Sequence, residues 1–160
     1  MEIRTAGPQD WPGIWAIFRT VVSAGETYVY DPDTTEDAAR ELWTGPPATA
    51  FVAVEGGSVA GIYMMKPNQS GLGAHVANAG FMVAPGHLGK GIGRAMGEHA
   101  LAEARRAGYL AMQFNFVVST NAAAVALWES LGFAIAGTIP QAFRHKRLGL
   151  VDIHIMHRFL

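Results

Sequence analysis

The stretch that decides the fold is "APGHLGKGIGRAMG", residues 84–97, which follows directly on "ANAGFMV", residues 77–83. Its fourteen residues include five glycines, one lysine and one arginine. The run before it is typical of a β-strand, and the run after it predicts a helix from about residue 90 to 107. Glycines at a helix entrance let main-chain N–H groups approach an anion, and the helix dipole favours negative charge there. The stretch therefore predicts an anion site, with phosphate as the usual occupant.

Two familiar phosphate loops do not fit these residues. The ATP-type loop needs Ser or Thr after its Gly-Lys pair, but Lys90 is followed by Gly91. The dinucleotide fingerprint needs glycine at its sixth place, which is Arg94 when counted from Gly89 and Met96 when counted from Gly91. A loop whose glycines serve only tight turning remains the alternative.

Composition limits the class of protein. A chain of 160 residues that is 50% hydrophobic and 16% charged can build one domain with a real core, which excludes disorder as the default. The net charge of −1 indicates no nucleic-acid partner. No apolar run approaches the roughly 18 residues of a membrane span. The absence of cysteine excludes disulfides, thiolate zinc sites and a cysteine nucleophile, and it favours a cytoplasmic location.

The hydrophobic pattern along the chain predicts one α/β domain over residues 1–160, with about seven strands and four helices. The first helix ends at Gly25, Thr34 or Thr35 caps the second, and Thr120 or Ser119 caps the last. The strands are expected at 1–6, on both sides of a turn at Gly56 and Gly57, and at 74–83, 109–118, 133–139 and 150–159, with a loop at 140–149. Hairpins and crossovers both occur, so the sheet is expected to be mixed and mostly antiparallel.

Two motifs together resemble the GNAT superfamily of N-acetyltransferases. The first is "V-x-P-x-x-x-G-K-G-I-G-R" at 83–94, which is similar to the family's pyrophosphate loop, although Leu88 stands where the family has Arg or Gln. The second is "TNAAAVALWESLGF" at 120–133, which resembles the later helix that an Asn opens and "SLGF" closes. The order of elements also matches, so the resemblance covers nearly the whole chain.

The resemblance implies acetyl-coenzyme A as co-substrate and no metal. In the family, a bulged central strand parts from the next strand and makes a V-shaped cleft for the thioester. It implies that the main chain of Phe81, Met82 and Val83 pairs with the pantetheine arm. The pyrophosphate would then be held by the loop of Gly89, Lys90, Gly91, Ile92, Gly93 and Arg94.

The general acid is where the sequence departs from the family. Many relatives have a tyrosine in the helix after the Asn, and this chain has Trp128 there. An indole N–H donates a hydrogen bond but is no useful proton source, so the catalytic acid and base are unknown. We expect Trp128 to be a core aromatic.

The pattern around three asparagines indicates which kind of acceptor to expect. The pattern "NAGFMV … FNFVVSTN" resembles the fungal-type acetyltransferases of proline analogues such as azetidine-2-carboxylate. That resemblance implies that Asn78 holds the acceptor carboxylate, while Asn115 and Asn121 serve the coenzyme. Glu26, Tyr28 and Tyr30 follow the first helix, where the family often roofs the acceptor pocket.

Alternatives remain open for the activity. "ETYVY" at 26–30 faintly resembles the phosphinothricin acetyltransferases, and a non-catalytic acyl-coenzyme A-binding module is the alternative from another class. We expect a small-molecule amine as partner, neither nucleic acid nor membrane, and leave a homodimer open. His145 is expected on a solvated loop near the cleft mouth, and His75 on the strand face opposite Asn78.

Overall fold

The computed structural model describes all 160 residues and shows a seven-stranded sheet flanked by four helices, as predicted. The strands are β1 (Glu2–Thr5), β2 (Thr49–Glu55), β3 (Ser58–Pro67), β4 (Val76–Val83), β5 (Ala111–Val118), β6 (Ala134–His145) and β7 (Gly149–Phe159). The helices are α1 (Trp11–Ala24), α2 (Glu36–Thr44), α3 (Ile92–Arg106) and α4 (Ala122–Ser130). No helix is long and apolar enough to cross a membrane.

One strand pair of the sheet is parallel, and the candidate site lies where this pairing ends. The strand order is β1-β2-β3-β4-β5-β7-β6, and every neighbouring pair except β4 with β5 is antiparallel. The parallel pairing is short, joining Val76–Asn78 to Ala111–Gln113. Beyond Asn78 the two strands part, and the rest of β4 has no strand neighbour on that side. The predicted cleft therefore opens between β4 and β5.

The bulge that accompanies this cleft lies in β5. The register between β3 and β4 runs without a shift from Gly61 opposite Val83 to Pro67 opposite Ala77, so the bulge expected in the central strand was wrong. Instead, the pairing of β5 with β7 shifts between Phe114 and Val117. A bulge inserts an unpaired residue and bends the strand, which turns β5 away just after its pairing with β4 ends.

Two predictions at local features were wrong. Residues 140–149 are mostly strand, because β6 continues to His145. Pro140 is tolerated there since β6 is an edge strand that pairs with β7 alone, and Gln141 has a φ of 53° within the shift between Ile139 and Phe143. Neither Thr120 nor Ser119 caps helix α4; Asn121, the residue that opens this helix in the family motif, accepts a hydrogen bond from Ala124 N at 3.3 Å.

The helices cover both faces of the sheet. Helices α3 and α4 pack on one face over the larger apolar cluster, which includes Met96 and Trp128. Helices α1 and α2 pack on the other face over a second cluster, which includes Phe18 and Trp43. Gly25 ends α1 with a φ of 66°, and the Thr35 side chain caps α2, as the sequence predicted. The cleft between β4 and β5 is a gap in the sheet, so it connects the helical layer on one face with the helical layer on the other.

Candidate active site

The candidate site is the cleft left where β4 and β5 part. It has a volume of about 200 Å³ and is lined by five segments: the loop after α1, Met64 of β3, the middle of β4, the bulged half of β5, and α4 with its N-cap. Twelve of its seventeen lining residues are hydrophobic when the amphipathic Tyr28 and Tyr30 are counted among them. The polar ones are few, and most of them come from residues that the sequence analysis singled out: Thr27, Tyr28, Tyr30, Asn78, Asn115 and Asn121.

The lining carries no side chain that is charged at neutral pH. None of the seventeen residues is Asp, Glu, His, Lys or Arg, and the two tyrosines are the sole ionisable groups. Burial raises the pKa of the Tyr28 phenol above its ordinary value, and burial likewise raises the pKa of Tyr30. Both phenols are therefore neutral at physiological pH, and the cleft contains neither a carboxylate nor an imidazole to take a proton.

Asn78 bridges the two strands where they separate. Its Nδ2 donates to the carbonyl of Gln113 at 3.0 Å, and these two residues are the last pair of β4 and β5. This uses one of its two amide hydrogens, and its Oδ1 makes no hydrogen bond within the chain. The side chain is half-buried and lines the cleft, so the remaining amide groups are available to a bound molecule.

Asn115 and Asn121 lie on the opposite wall. Asn115 belongs to the β5 bulge, where its Nδ2 donates to Asn68 Oδ1 at 2.7 Å and its Oδ1 accepts from Gln113 Nε2 at 2.9 Å. Asn121 uses its side-chain oxygen to cap α4, which leaves its amide nitrogen without a partner. The structure therefore brings all three asparagines to one cleft, and two of them also stabilise the backbone of its walls.

Tyr28 reaches across the cleft to the main chain of β4. Its hydroxyl donates to Phe81 O at 2.6 Å and accepts from Phe81 N at 2.8 Å. The ring stacks on Tyr30, with centroids 5.7 Å apart, and meets Trp43 edge-on. A Cβ placed on Gly80 would lie 3.5 Å from the hydroxyl, which is an ordinary van der Waals contact. Sequence reasoning missed this contact, since nothing in a loop residue's spacing identifies a partner 53 residues away.

Glu26 is placed outside the cleft. It is absent from the lining, and its carboxylate contacts Arg147 Nε at 2.8 Å, in the turn between β6 and β7. His145, expected on a solvated loop, is buried at 6% exposure, and its Nδ1 accepts from the main-chain N–H groups of Arg147 and Leu148. His145 therefore stabilises the β6–β7 turn itself, while the Glu26–Arg147 ion pair and a bond from Lys146 N to Gly25 O join that turn to the end of α1.

Trp128 is a core aromatic with one edge at the cleft. It is 7% exposed, and its ring lies 4.8 Å from the rings of both Phe81 and Phe114. A Cβ at Gly97 would come within 3.1 Å of the indole, so α3 and α4 pack closely there. The indole also lines the cleft, which brings it to the same space as Tyr28 and Asn121.

The glycine loop forms a separate structure beyond the end of β4. Gly89 and Gly91 have φ values of 76° and 80°, which favour glycine, and no atom lies within 4 Å of a Cβ placed on either residue. Gly91 is the N-cap of α3, and no side chain caps this helix. Its first main-chain N–H groups are therefore free to bind an anion. A Cβ at Gly93 would lie 3.3 Å from Leu127, so this end of α3 sits close to α4.

Two cations flank that helix end. Lys90 is exposed and makes no ion pair, while Arg94 donates to Ser130 Oγ at 2.8 Å and lies 3.8 Å from Glu98. Free N–H groups, an exposed lysine and an anchored arginine match the chemistry of a phosphate or pyrophosphate. The residues present therefore fit the coenzyme's pyrophosphate, which the resemblance implied for this loop.

Comparison with known proteins identifies the family, because the sequence profile of the acetyltransferase (GNAT) family matches residues 14–133. The chain belongs to the acetyltransferase (GNAT) family. This GNAT chain is 34% identical over 151 residues to N-acetyltransferase aca1 of Schizosaccharomyces pombe, an alignment that covers 84% of this chain and 72% of that one. The predicted family and the predicted enzyme class, an acyl-coenzyme A-dependent N-acetyltransferase, are confirmed.

Two solved GNAT structures are similar over their whole length. A GCN5-related N-acetyltransferase from Kribbella flavida is 50% identical, with a TM-score of 0.95 and coverage of 99% of this chain and 97% of that one. The putative acetyltransferase YncA from Salmonella typhimurium, solved with acetyl-coenzyme A, is 29% identical, with a TM-score of 0.85 and coverage of 100% and 94%. These likenesses confirm the predicted fold and the predicted co-substrate class.

Proposed function

We propose that this GNAT enzyme transfers an acetyl group from acetyl-coenzyme A to the amine of a small amino or imino acid. The observation that carries the proposal is the arrangement of two adjoining features. One is an uncapped helix end with free N–H groups, and the other is a small, uncharged cleft that opens beside the unpaired edge of β4.

On the coenzyme side, the glycine loop is assigned to the pyrophosphate. Main-chain N–H groups at the start of α3 would bind its oxygens, with Lys90 adding charge from solvent. The cleft-facing main chain of Phe81 and Val83 would bind the pantetheine arm as an added strand does. The coenzyme supplies an activated thioester carbonyl, and the protein's task is to hold the amine against it in an uncharged cleft.

On the acceptor side, Asn78 and Tyr28 are assigned to substrate, while Tyr30 packs against the Tyr28 ring. The free amide hydrogen of Asn78 points to a neutral donor for a carboxylate, in line with the resemblance to the proline-analogue acetyltransferases. The small volume of the cleft favours a compact acceptor. Glu26 remains a weaker candidate, because it is paired with Arg147 outside the lining of the cleft. Cytoplasmic location and a homodimer stay predictions.

The coenzyme assignment is tested by Gly91→Glu, which places a carboxylate beside the bound pyrophosphate. We expect the Kd for coenzyme A, measured by calorimetry, to rise at least about tenfold, or about 1.4 kcal/mol. Gly57→Glu is the matched control, because Gly57 has the same φ of 80° and open surroundings but lies in the β2–β3 turn. Equal affinity in both variants would remove the loop from the coenzyme site.

The acceptor assignment is tested by Asn78→Ala with a panel of proline analogues, small amino acids, phosphinothricin and amines without a carboxylate. A hydrogen bond to a charged group contributes about 1.5–3 kcal/mol, so kcat/KM for carboxylate acceptors should fall roughly 10- to 150-fold. For amines without a carboxylate, kcat/KM should fall much less. This comparison separates loss of carboxylate binding from loss of the Asn78–Gln113 hydrogen bond, which affects every acceptor. Coenzyme affinity should barely change. A uniform loss across the panel would contradict the amino-acid proposal, and coenzyme binding without thiol release would favour a non-catalytic module.

A further inference from the structure

The contact of Tyr28 with β4 occupies main-chain groups that face the cleft. At the two ends of β4, hydrogen bonds show which residues bond on the β3 side. Ala84 N donates to Ala60 O, and Val76 O accepts from Asn68 N. In an antiparallel pair, every second residue directs its main-chain N–H and C=O groups to the partner strand. The main-chain groups of the even-numbered residues of β4 therefore point to β3. The N–H and C=O groups of Phe81 therefore point to the opposite side, where β5 has already turned away.

In the free protein these groups are satisfied by the Tyr28 hydroxyl. It lies within 2.8 Å of both the nitrogen and the oxygen of Phe81, and so takes the place of a neighbouring strand. The same N–H and C=O pair is what an extended chain would use to add to β4. One N–H cannot serve both partners, so the hydroxyl and a bound pantetheine arm exclude each other at Phe81.

We propose that Tyr28 is a latch that competes with the coenzyme for the main chain of Phe81. The proposal rests on the coenzyme cleft of the proposed function and adds a residue that sets the strength of coenzyme binding. Acetyl-coenzyme A displaces the hydroxyl, while the ring stays between Tyr30 and Trp43. The freed hydroxyl then faces the neutral acceptor pocket as a hydrogen-bond donor, so the pocket is completed after the coenzyme has bound.

The first test is the affinity of Tyr28→Phe for coenzyme A, measured by calorimetry without an acceptor. The variant keeps the ring stack and loses both hydrogen bonds, so the coenzyme no longer has to break them. We expect its Kd to fall threefold to tenfold. Tyr30→Phe is the matched control, because the Tyr30 hydroxyl makes no hydrogen bond to β4, and it should leave the Kd unchanged.

A merely structural Tyr28 would give the opposite sign, because a loosened cleft binds the coenzyme less well. Unchanged or weaker binding by a folded Tyr28→Phe would overturn the latch. If the wild-type protein itself fails to bind coenzyme A, the proposed function fails instead, so the two failures are distinguishable.

The second test follows the Phe81 amide by hydrogen exchange, first in the wild-type protein and then in Tyr28→Phe. The amide should be protected in the free protein by Tyr28 and should stay protected when coenzyme A is bound. In Tyr28→Phe it should exchange faster when free and regain the protection with coenzyme A. An unprotected Phe81 amide in the free wild-type protein would overturn the latch.

Discussion

The absence of an ionisable base in the cleft predicts how the rate depends on pH. The side chains that line the cleft include no carboxylate and no imidazole, and its two phenols have pKa values raised by burial. The acceptor amine must therefore lose its proton to water before it reacts. The logarithm of kcat/KM should rise with a slope of one per pH unit up to the pKa of the amine itself.

The size of the effect follows from the fraction of free amine. At pH 7 an alkyl amine with a pKa near 10.4 is about one part in 2,500 unprotonated, whereas an amine with a pKa near 8 is about one part in ten. Two acceptors of matched shape with these pKa values should therefore differ about 200-fold in available nucleophile, before any difference in intrinsic reactivity. Their pH profiles should bend at different pH values, each at the pKa of its own acceptor amine.

The assay is thiol release at saturating acetyl-coenzyme A, with each acceptor far below its KM, from about pH 6 to about pH 9.5. Tyr30→Phe is a useful companion, because it should leave the slope unchanged if no phenol acts as the base. An inflection near neutral pH that is shared by both acceptors would refute the reasoning, because it would show a protein group that takes the proton.

Two further predictions concern Trp128 and Asp10. Trp128→Phe should keep the rate within a few-fold and keep the shape of the pH profile, since the indole is a packing residue; a loss of about a hundredfold in a folded variant would reveal a catalytic role. Arg4 holds the pKa of the Asp10 carboxyl below its usual range, first by hydrogen bonds at 2.7 and 2.8 Å. The stability that this adds is present above the ordinary carboxyl pKa and is lost as pH falls through the folded value. Asp10→Asn should therefore lower Tm at pH 7, and the difference should shrink in acid; a constant difference would contradict the linkage.

The sequence predicted the elements that depend on local chemistry. Glycine conformations end α1 and open α3, and Thr35 caps α2, because these positions need particular main-chain angles or a side-chain oxygen. The edge strand β6 was missed at its second half, because Pro140 and the basic residues around His145 are typical of loops. An edge position removes the need for one row of N–H donors, and sequence alone does not show which strand lies at the edge.

The candidate site was predicted in part. Asn78 and Asn115 were found because asparagine is unusual in apolar strands, Asn121 was found because it opens the helix in the family motif, and all three line the cleft. The Tyr28 contact, the place of Glu26 and the burial of His145 were not found, since each depends on packing between distant segments.

A single irregularity in β5 connects the fold to the site. Before the shift, the side chains of β5 that pack on the larger cluster are even-numbered, Met112 and Phe114; after it, Val117 takes that role. Asn115 and Phe116 lie between these positions and line the cleft. The bulge therefore bends β5 away from β4 and also supplies part of the new wall. The cleft leaves the main-chain N–H and C=O groups of Phe81 without a strand neighbour, and buried main-chain groups need hydrogen-bond partners. The Tyr28 hydroxyl provides that partner until, in the proposed latch, the pantetheine arm replaces it.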